Sequence, residues 1–172
     1  MRSTFKVGFA SSFKRTSELL GVPSPTAYKY YRWVVTRNAG IDSASTHRSG
    51  SRELELMEVV DGPSVAPGNG VASTNTSHAQ PVTRLFDGLT GAGEGSNSNQ
   101  DPVFPLIFTF EFGSPRVIVE YAVYCYTHPF ALTRSFGLWT FEASNDGANW
   151  TVLDSPPLQT GWGQGERRAF TL

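Results

Sequence analysis

The chain has 172 residues, a length typical of one domain with a single core. Hydrophobic residues make up 39% and charged residues only 17%, with 17 glycines and 11 prolines, a composition that favours many short strands joined by turns over long helices. The net charge of −1 argues against nonspecific nucleic-acid binding, and the single cysteine, Cys125, excludes an internal disulfide.

The opening of the chain differs in character from the rest. Residues 1–27 contain four basic residues and one acidic residue, Glu18, and the segment ends with the Pro-rich Val22–Pro25. These features predict an extended N-terminal arm with a stiff joint, the alternative being a frayed terminus. The charges around Glu18 interrupt any signal-peptide core, and no run approaches the roughly 20 apolar residues of a membrane span. We therefore expect neither classical export nor membrane insertion.

From Tyr28 onward, apolar residues alternate with polar ones in the way that half-buried strands do. Tyr31, Trp33 and Val35 share one face of a predicted strand, and a second strand is predicted over Arg52–Val60. The residues between these strands are polar and rich in Ser and Gly, which predicts a long exposed loop.

The second half of the sequence predicts further strands. Alternating apolar residues in 106–112 and 117–125 predict two paired strands, and Asn145-Asp146-Gly147 predicts the turn of a hairpin with 150–153. The chain ends on the strand-like RRAFTL. Residues 28–172 are therefore predicted to be one all-β domain, a β-sandwich of the jelly-roll kind.

Three stretches in this order are similar to the discoidin family, the coagulation-factor C-type or galactose-binding-like domains. They are FDGLTG, FTFEFGSPRVIVEYAVYCYT and WTFEASNDGANWTVLD. The family's Tyr/Arg strand and Glu-Leu-Glu strand are matched by YKYYRWVV and ELELMEVV, which open this domain although they close the usual one. The chain thus resembles a circularly permuted discoidin domain, as found in bacteriophage structural proteins. Permutation implies that the two ends of the sandwich lie close together.

The resemblance also has departures. The family's Trp after the Asp-Gly loop is replaced by GAGEGSNSNQDP, and the paired cysteines of animal members are missing. The missing cysteines argue against a secreted protein of the clotting type and against membrane binding through apolar spikes.

Relatives in this family hold a structural calcium near the Asp-Gly loop. The matching positions here are Glu53, Asp87 and Thr90. Calcium takes six to eight oxygen ligands, so backbone carbonyls and waters would have to supply most of them. The alternative is that Asp87-Gly88 is only a turn.

Sugar-binding relatives use loops at one end of the sandwich, where an aromatic face and polar donors meet a ligand. The candidate residues in the predicted loops are His47, Arg48, Asn75, His78, His128, Phe130, Arg134 and Trp162. Trp162 is expected to be an exposed aromatic, whereas Trp33, Trp139 and Trp150 are assigned to the core. Each loop candidate has ordinary loop surface as its alternative.

Two further residues are assigned structural roles. Arg32 lies between aromatic residues of the first strand and is expected to stack on Tyr30 or a neighbouring ring. Cys125 lies in an apolar alternating run, which predicts a buried, unreactive thiol.

The sequence carries none of the common catalytic, phosphate-binding or zinc-binding motifs, so we expect no enzyme. The resemblance implies a virion structural or adhesion protein, such as a capsid decoration, cement or tail component, present in many copies after assembly in the host cytoplasm. Its expected partners are other virion proteins, bound through the arm, and host-surface glycans. The alternative is a free-standing carbohydrate-binding module for cell-surface glycans.

Overall fold

The computed structural model describes residues 25–40, 49–91, 95–97, 103–126 and 131–172. Within these ranges the strands are β1 Tyr28–Asn38, β2 Gly50–Ser51, β3 Leu54–Met57, β4 Gly70–Thr74, β5 Ser96–Asn97, β6 Leu106–Arg116, β7 Glu120–Tyr124, β8 Phe136–Ser144, β9 Thr151–Asp154 and β10 Arg167–Thr171. A 3-10 turn covers Val82–Leu85, and a one-turn helix, α1, covers Ala131–Arg134. Residues 1–24, which include most of the predicted arm, lie outside the described residues.

The larger sheet has five antiparallel strands in the order β4-β6-β1-β8-β9. Its central strand β1 shows the predicted alternation, because Tyr31, Trp33 and Val35 are all fully buried on one face. In register, Trp33 lies between Phe108 of β6 and Phe141 of β8. β-branched and aromatic side chains at these positions therefore form a continuous apolar surface on the inner face of the sheet.

The smaller sheet has three antiparallel strands in the order β10-β7-β3. Leu56, Tyr121 and Phe170 lie side by side across it and point to the core. Tyr121 stacks on Phe141 of the larger sheet with 4.1 Å between ring centroids. The two sheets thus share one hydrophobic core, which confirms the expected all-β fold of two packed sheets. The short β2 and β5 pair with each other.

The predicted pairing of 106–112 with 117–125 is wrong. Both segments are strands, but β6 pairs with β1 and β4 in the larger sheet, whereas β7 pairs with β3 and β10 in the smaller one. Residues 117–119 therefore cross from one sheet to the other. The predicted β8–β9 hairpin is confirmed, and Gly147 in its turn has a φ of 71°, which an L side chain adopts only under strain.

The first and last described strands belong to different sheets and do not pair. Tyr28 at the start of β1 and Leu172 after β10 nevertheless line the same groove, so the two ends of the sandwich lie close together, as expected. Within the described ranges, no helix has the length and apolar character needed to cross a bilayer.

The sequence-based assignment of buried residues is mostly confirmed. Trp33 and Trp139 are 0% and 3% exposed, and Cys125 is fully buried, with burial raising the pKa of its thiol. The assignment of Trp150 to the core is wrong, because this residue is half-buried on the outer face of the larger sheet. It follows the hairpin turn, one residue before β9, and faces away from the core.

Candidate functional site

Several of the predicted ligand loops leave the sandwich at the same end, which we call the loop end. There β1 ends at Asn38 beside Phe136, the first residue of β8, and β4 ends at Thr74 beside Phe108 of β6. Because neighbouring strands run antiparallel, the loop that follows β1, the loop that follows β4 and the segment that precedes β8 all start or end there. The described ends of these segments therefore lie at one end of the sandwich.

Four of the candidate residues, His47, Arg48, His128 and Phe130, lie outside the described residues. Asn75 is described and exposed, but both ends of its amide bind backbone. Its Nδ2 donates to the carbonyl of Pro105 at 2.9 Å, and its Oδ1 accepts from the amide of Ile107 at 2.8 Å. Asn75 thus fastens its loop to the start of β6, a structural use of the side chain.

His78 and Arg134 are both half-buried at the loop end. The His78 ring packs edge-on against Phe108, with centroids 5.3 Å apart, and its Nε2 lies 3.3 Å from the Thr74 hydroxyl. Arg134 is the last residue of α1, which backbone hydrogen bonds hold against the end of β1. The amide of Gly40 donates to the carbonyl of Thr133 in α1 at 3.2 Å, and the amide of Ala39 donates to the carbonyl of Ser135, just after α1, at 2.8 Å. The described candidates are therefore anchored to strand ends.

The expectation that Trp162 is an exposed aromatic is wrong, because the residue is only 2% exposed. Its indole Nε1 donates to the carbonyl of Phe136 at 3.0 Å, and the guanidinium of Arg168 lies 4.1 Å from the indole ring centroid. Arg168 in turn donates to Glu166 and to the carbonyls of Thr160 and Gly161. The arginine thus closes the loop over the indole, and Trp162 joins the core.

The Asp-Gly loop brings two of the three predicted calcium ligands to one place. Glu53 is fully buried, and its Oε1 accepts from the amide of Gly88 at 3.0 Å. Next to it, Asp87 Oδ1 accepts from the amide of Leu89 at 2.9 Å, which forms an Asx turn. Thr90 is exposed. Glu53 and Asp87 therefore both organise the loop backbone through one carboxylate oxygen each.

The oxygen donors at this loop suit calcium chemically, because calcium prefers carboxylate, hydroxyl and carbonyl oxygens. In the described part of the chain, no group of three or more His, Cys, Asp or Glu side chains is placed to hold a metal ion. A calcium ion bound by Glu53, Asp87 and Thr90 would thus depend on backbone carbonyls and waters for its remaining ligands.

A small cleft beside Asp87 was not indicated by the sequence. Its volume is about 180 Å³, and its lining includes Thr83, Asp87 and the rings of Phe86 and Phe110. Ligand pockets usually measure about 300–1,000 Å³, so this cleft is too small for most organic ligands. No local sequence pattern indicates this cleft, because its walls come from three separate segments of the chain.

The outer face of the larger sheet carries a second cluster, formed by Arg32, Glu142, Tyr30 and Trp150. The guanidinium of Arg32 lies 3.8 Å from the Trp150 ring centroid and 2.6 Å from a Glu142 oxygen. Tyr30 meets Trp150 edge-on at 6.4 Å. The expected stacking of Arg32 is thus confirmed, with Trp150 as the ring. The Arg32 guanidinium thus covers the Trp150 indole and forms an ion pair with the Glu142 carboxylate.

Comparison of the chain with protein-family models, curated proteins and solved structures finds no match.

Proposed function

We propose that the protein is a non-catalytic structural or adhesive component of a phage-like particle, with a discoidin-like jelly roll as its body. The three sequence stretches that resemble discoidin domains support the family, and the two antiparallel sheets on one core agree with such a body. The protein acts in many copies, and the segment before the body binds neighbouring particle proteins.

One observation carries this proposal. The segment 1–24 joins the body at the start of β1, whereas the loop end lies at the other end of the same strand. β1 has 11 residues, which at a rise of about 3.3 Å per residue separates the two ends by roughly 35 Å. A body with its attachment segment at one end and its loops at the other can bind a particle and still present the loops outward.

The alternative of a free-standing glycan-binding module has less support from the described residues. Asn75 is engaged with backbone, His78 packs on Phe108, and Trp162 is buried. That alternative therefore depends on Arg134 and on His47, Arg48, His128 and Phe130, of which the last four lie outside the described residues.

The proposal is tested by particle incorporation. A variant lacking residues 1–24 should be incorporated at least tenfold less than the parent, measured by quantitative mass spectrometry of purified particles. A Phe130→Ala variant, altered in the segment that precedes α1 in the sequence, should be incorporated like the parent. Equal melting temperatures would show that both variants fold. Unchanged incorporation of the shortened chain, or absence of the parent from particles, would overturn the proposal.

We further propose a calcium ion at the Asp-Gly loop, bound by Glu53, Asp87 and Thr90. A ligand that binds only the folded state stabilises it by RT ln(1 + [L]/Kd), so excess chelator should lower the melting temperature. Glu53→Gln should abolish this response, whereas Glu58→Gln, a change on the protein surface, should preserve it. An unchanged melting curve of the parent in chelator would assign Glu53 and Asp87 to support of the loop alone.

A further inference from the structure

An apolar groove lies at the end of the sandwich opposite the loop end, and we call it the end groove. Its volume is about 390 Å³, within the range of sites that bind organic groups. Its lining includes Pro25, Tyr28, Ile118, Val119, Leu153 and Leu172. These residues come from four chain segments, so no local sequence pattern indicates the groove.

The end groove leaves apolar surface in contact with water. Leu172 is 42% exposed, and Val119 and Leu153 are half-buried. Covering such surface is favourable by about 25 cal/mol per Å². Leu153 belongs to β9, and Leu172 follows β10. Among the described strands, β9 and β10 each lie at an edge of their sheet. Edge strands are sites at which an extended segment can be added.

The sequence of the arm offers a segment with matching properties. In Phe5-Lys6-Val7-Gly8-Phe9, three apolar residues alternate with Lys6 and Gly8. In an extended conformation, side chains two residues apart lie on the same face. Phe5, Val7 and Phe9 would therefore present one apolar face to the groove.

Charge also favours binding between the arm and the body. Residues 1–27 hold four basic residues and one acidic residue, a net charge of +3, and the remainder holds ten basic and fourteen acidic residues, a net charge of −4. These opposite charges favour contact of an arm with a body.

The position of the arm's attachment favours a second copy over the chain's own arm. Pro25 forms part of the groove wall, so the chain leaves from the groove itself. The preceding Val22-Pro23-Ser24-Pro25 favours an extended and stiff joint, because a residue before proline avoids the helical region. Return of Phe5–Phe9 to its own groove would require the chain to reverse direction within residues 10–21, whereas binding to a neighbouring copy requires no reversal.

We propose that the end groove of one copy binds the Phe5–Phe9 segment of a neighbouring copy. This inference builds on the proposed function, since it names the partner that the arm binds. It specifies a second copy of this chain, held by an apolar segment against an apolar groove.

The experiment uses two full-length variants with complementary defects. The arm variant, Phe5→Ser with Phe9→Ser, keeps an intact groove, and the groove variant, Val119→Arg, keeps an intact arm. We expect the parent to self-associate in analytical ultracentrifugation and each variant alone to associate at least tenfold more weakly. An equimolar mixture of the two variants should form a heterodimer, because one supplies the arm and the other the groove.

Matched controls separate this contact from general effects. Val152→Arg places the same charge on β9, at a residue that is 55% exposed and absent from the groove lining. Phe13→Ser removes an aromatic of the arm outside the segment. Both controls should associate like the parent, and all variants should melt near the parent's temperature.

The inference is overturned if the parent is monomeric, if the arm and groove variants associate like the parent, or if their mixture stays monomeric. These results do not depend on a particle. If the mixture associates while the shortened chain still enters particles normally, the groove contact stands and the proposed function fails.

Discussion

Arg32 gives the two faces of the central strand different chemistry. Tyr31 and Trp33 are buried in the core. Arg32 lies between them in sequence but on the outer face, where it stacks on Trp150 and forms an ion pair with Glu142. The side chains of Arg32 and Glu142 are only 22% and 12% exposed, so their attraction is screened less than that of a surface pair. The contact ties β1 to β8 and to the start of β9.

We predict energetic coupling between Arg32 and Trp150. Arg32→Ala should lower the free energy of unfolding by about 1–2 kcal/mol, because it removes the stacking and leaves Glu142 without its cation. A double-mutant cycle with Trp150→Ala, measured by urea unfolding, should give a coupling of about 0.5–1 kcal/mol. Arg32→Lys should recover only part of the stability, since lysine lacks the planar group. Additive effects of the two substitutions would contradict the prediction.

At the scale of elements, the segment between β9 and β10 is held by side chains. Among described residues it has no strand, yet the amide of Gln159 donates to the carbonyl of Gly137, and Trp162 is inserted into the core. Arg168 supplies the outer contacts, with hydrogen bonds to Glu166 and Gln159. The segment is thus fixed by the Trp162 indole, the Arg168 guanidinium and one backbone hydrogen bond.

We predict that Arg168→Ala loosens this segment. The substitution removes the stacking on Trp162 and several hydrogen bonds, and should cost about 2 kcal/mol. Hydrogen exchange followed by mass spectrometry should show faster exchange in residues 159–166, with exchange in β1 accelerated only by the global loss of stability. Thr171→Ala, an exposed change on the same strand, serves as the control. Unchanged exchange in residues 159–166 would count against this role of Arg168.

At the scale of the whole molecule, the shared core buries tyrosine hydroxyls from both sheets. Burial raises the pKa of Tyr31 to about 12, and burial together with a hydrogen bond to Asp154 raises the pKa of Tyr121. The Tyr121 hydroxyl also accepts a hydrogen bond from Trp139 Nε1 at 3.1 Å, so it links the side chains of Trp139 and Asp154. Both tyrosines therefore keep their protons in the folded state at a pH where the unfolded chain loses them.

This difference predicts alkaline destabilisation. Tyrosine in an unfolded chain has a pKa of about 10. Between about pH 10 and 12 the unfolded state therefore binds fewer protons than the folded state, and the free energy of unfolding falls as the pH rises. Urea unfolding at intervals from pH 9 to 12 should show this fall, and Tyr31→Phe should make it shallower. An equal slope in parent and variant would contradict the assignment to Tyr31.

The sequence by itself determined the local structure of this protein. Alternation marked β1 and β6 and their buried faces, and the Asn145-Asp146-Gly147 turn marked the β8–β9 hairpin, because both signals involve residues close together in the chain. The same reasoning identified Arg32 as a stacked cation and Cys125 as buried.

Only the tertiary structure decided how these elements combine. β6 and β7 follow one another in the chain yet enter different sheets, and Trp150 and Trp162 exchange their expected environments. The end groove likewise exists only where four distant segments meet. Pairing and exposure of this kind depend on contacts between residues far apart in sequence, and a periodic pattern reports only which face of a strand is apolar, without specifying its partner.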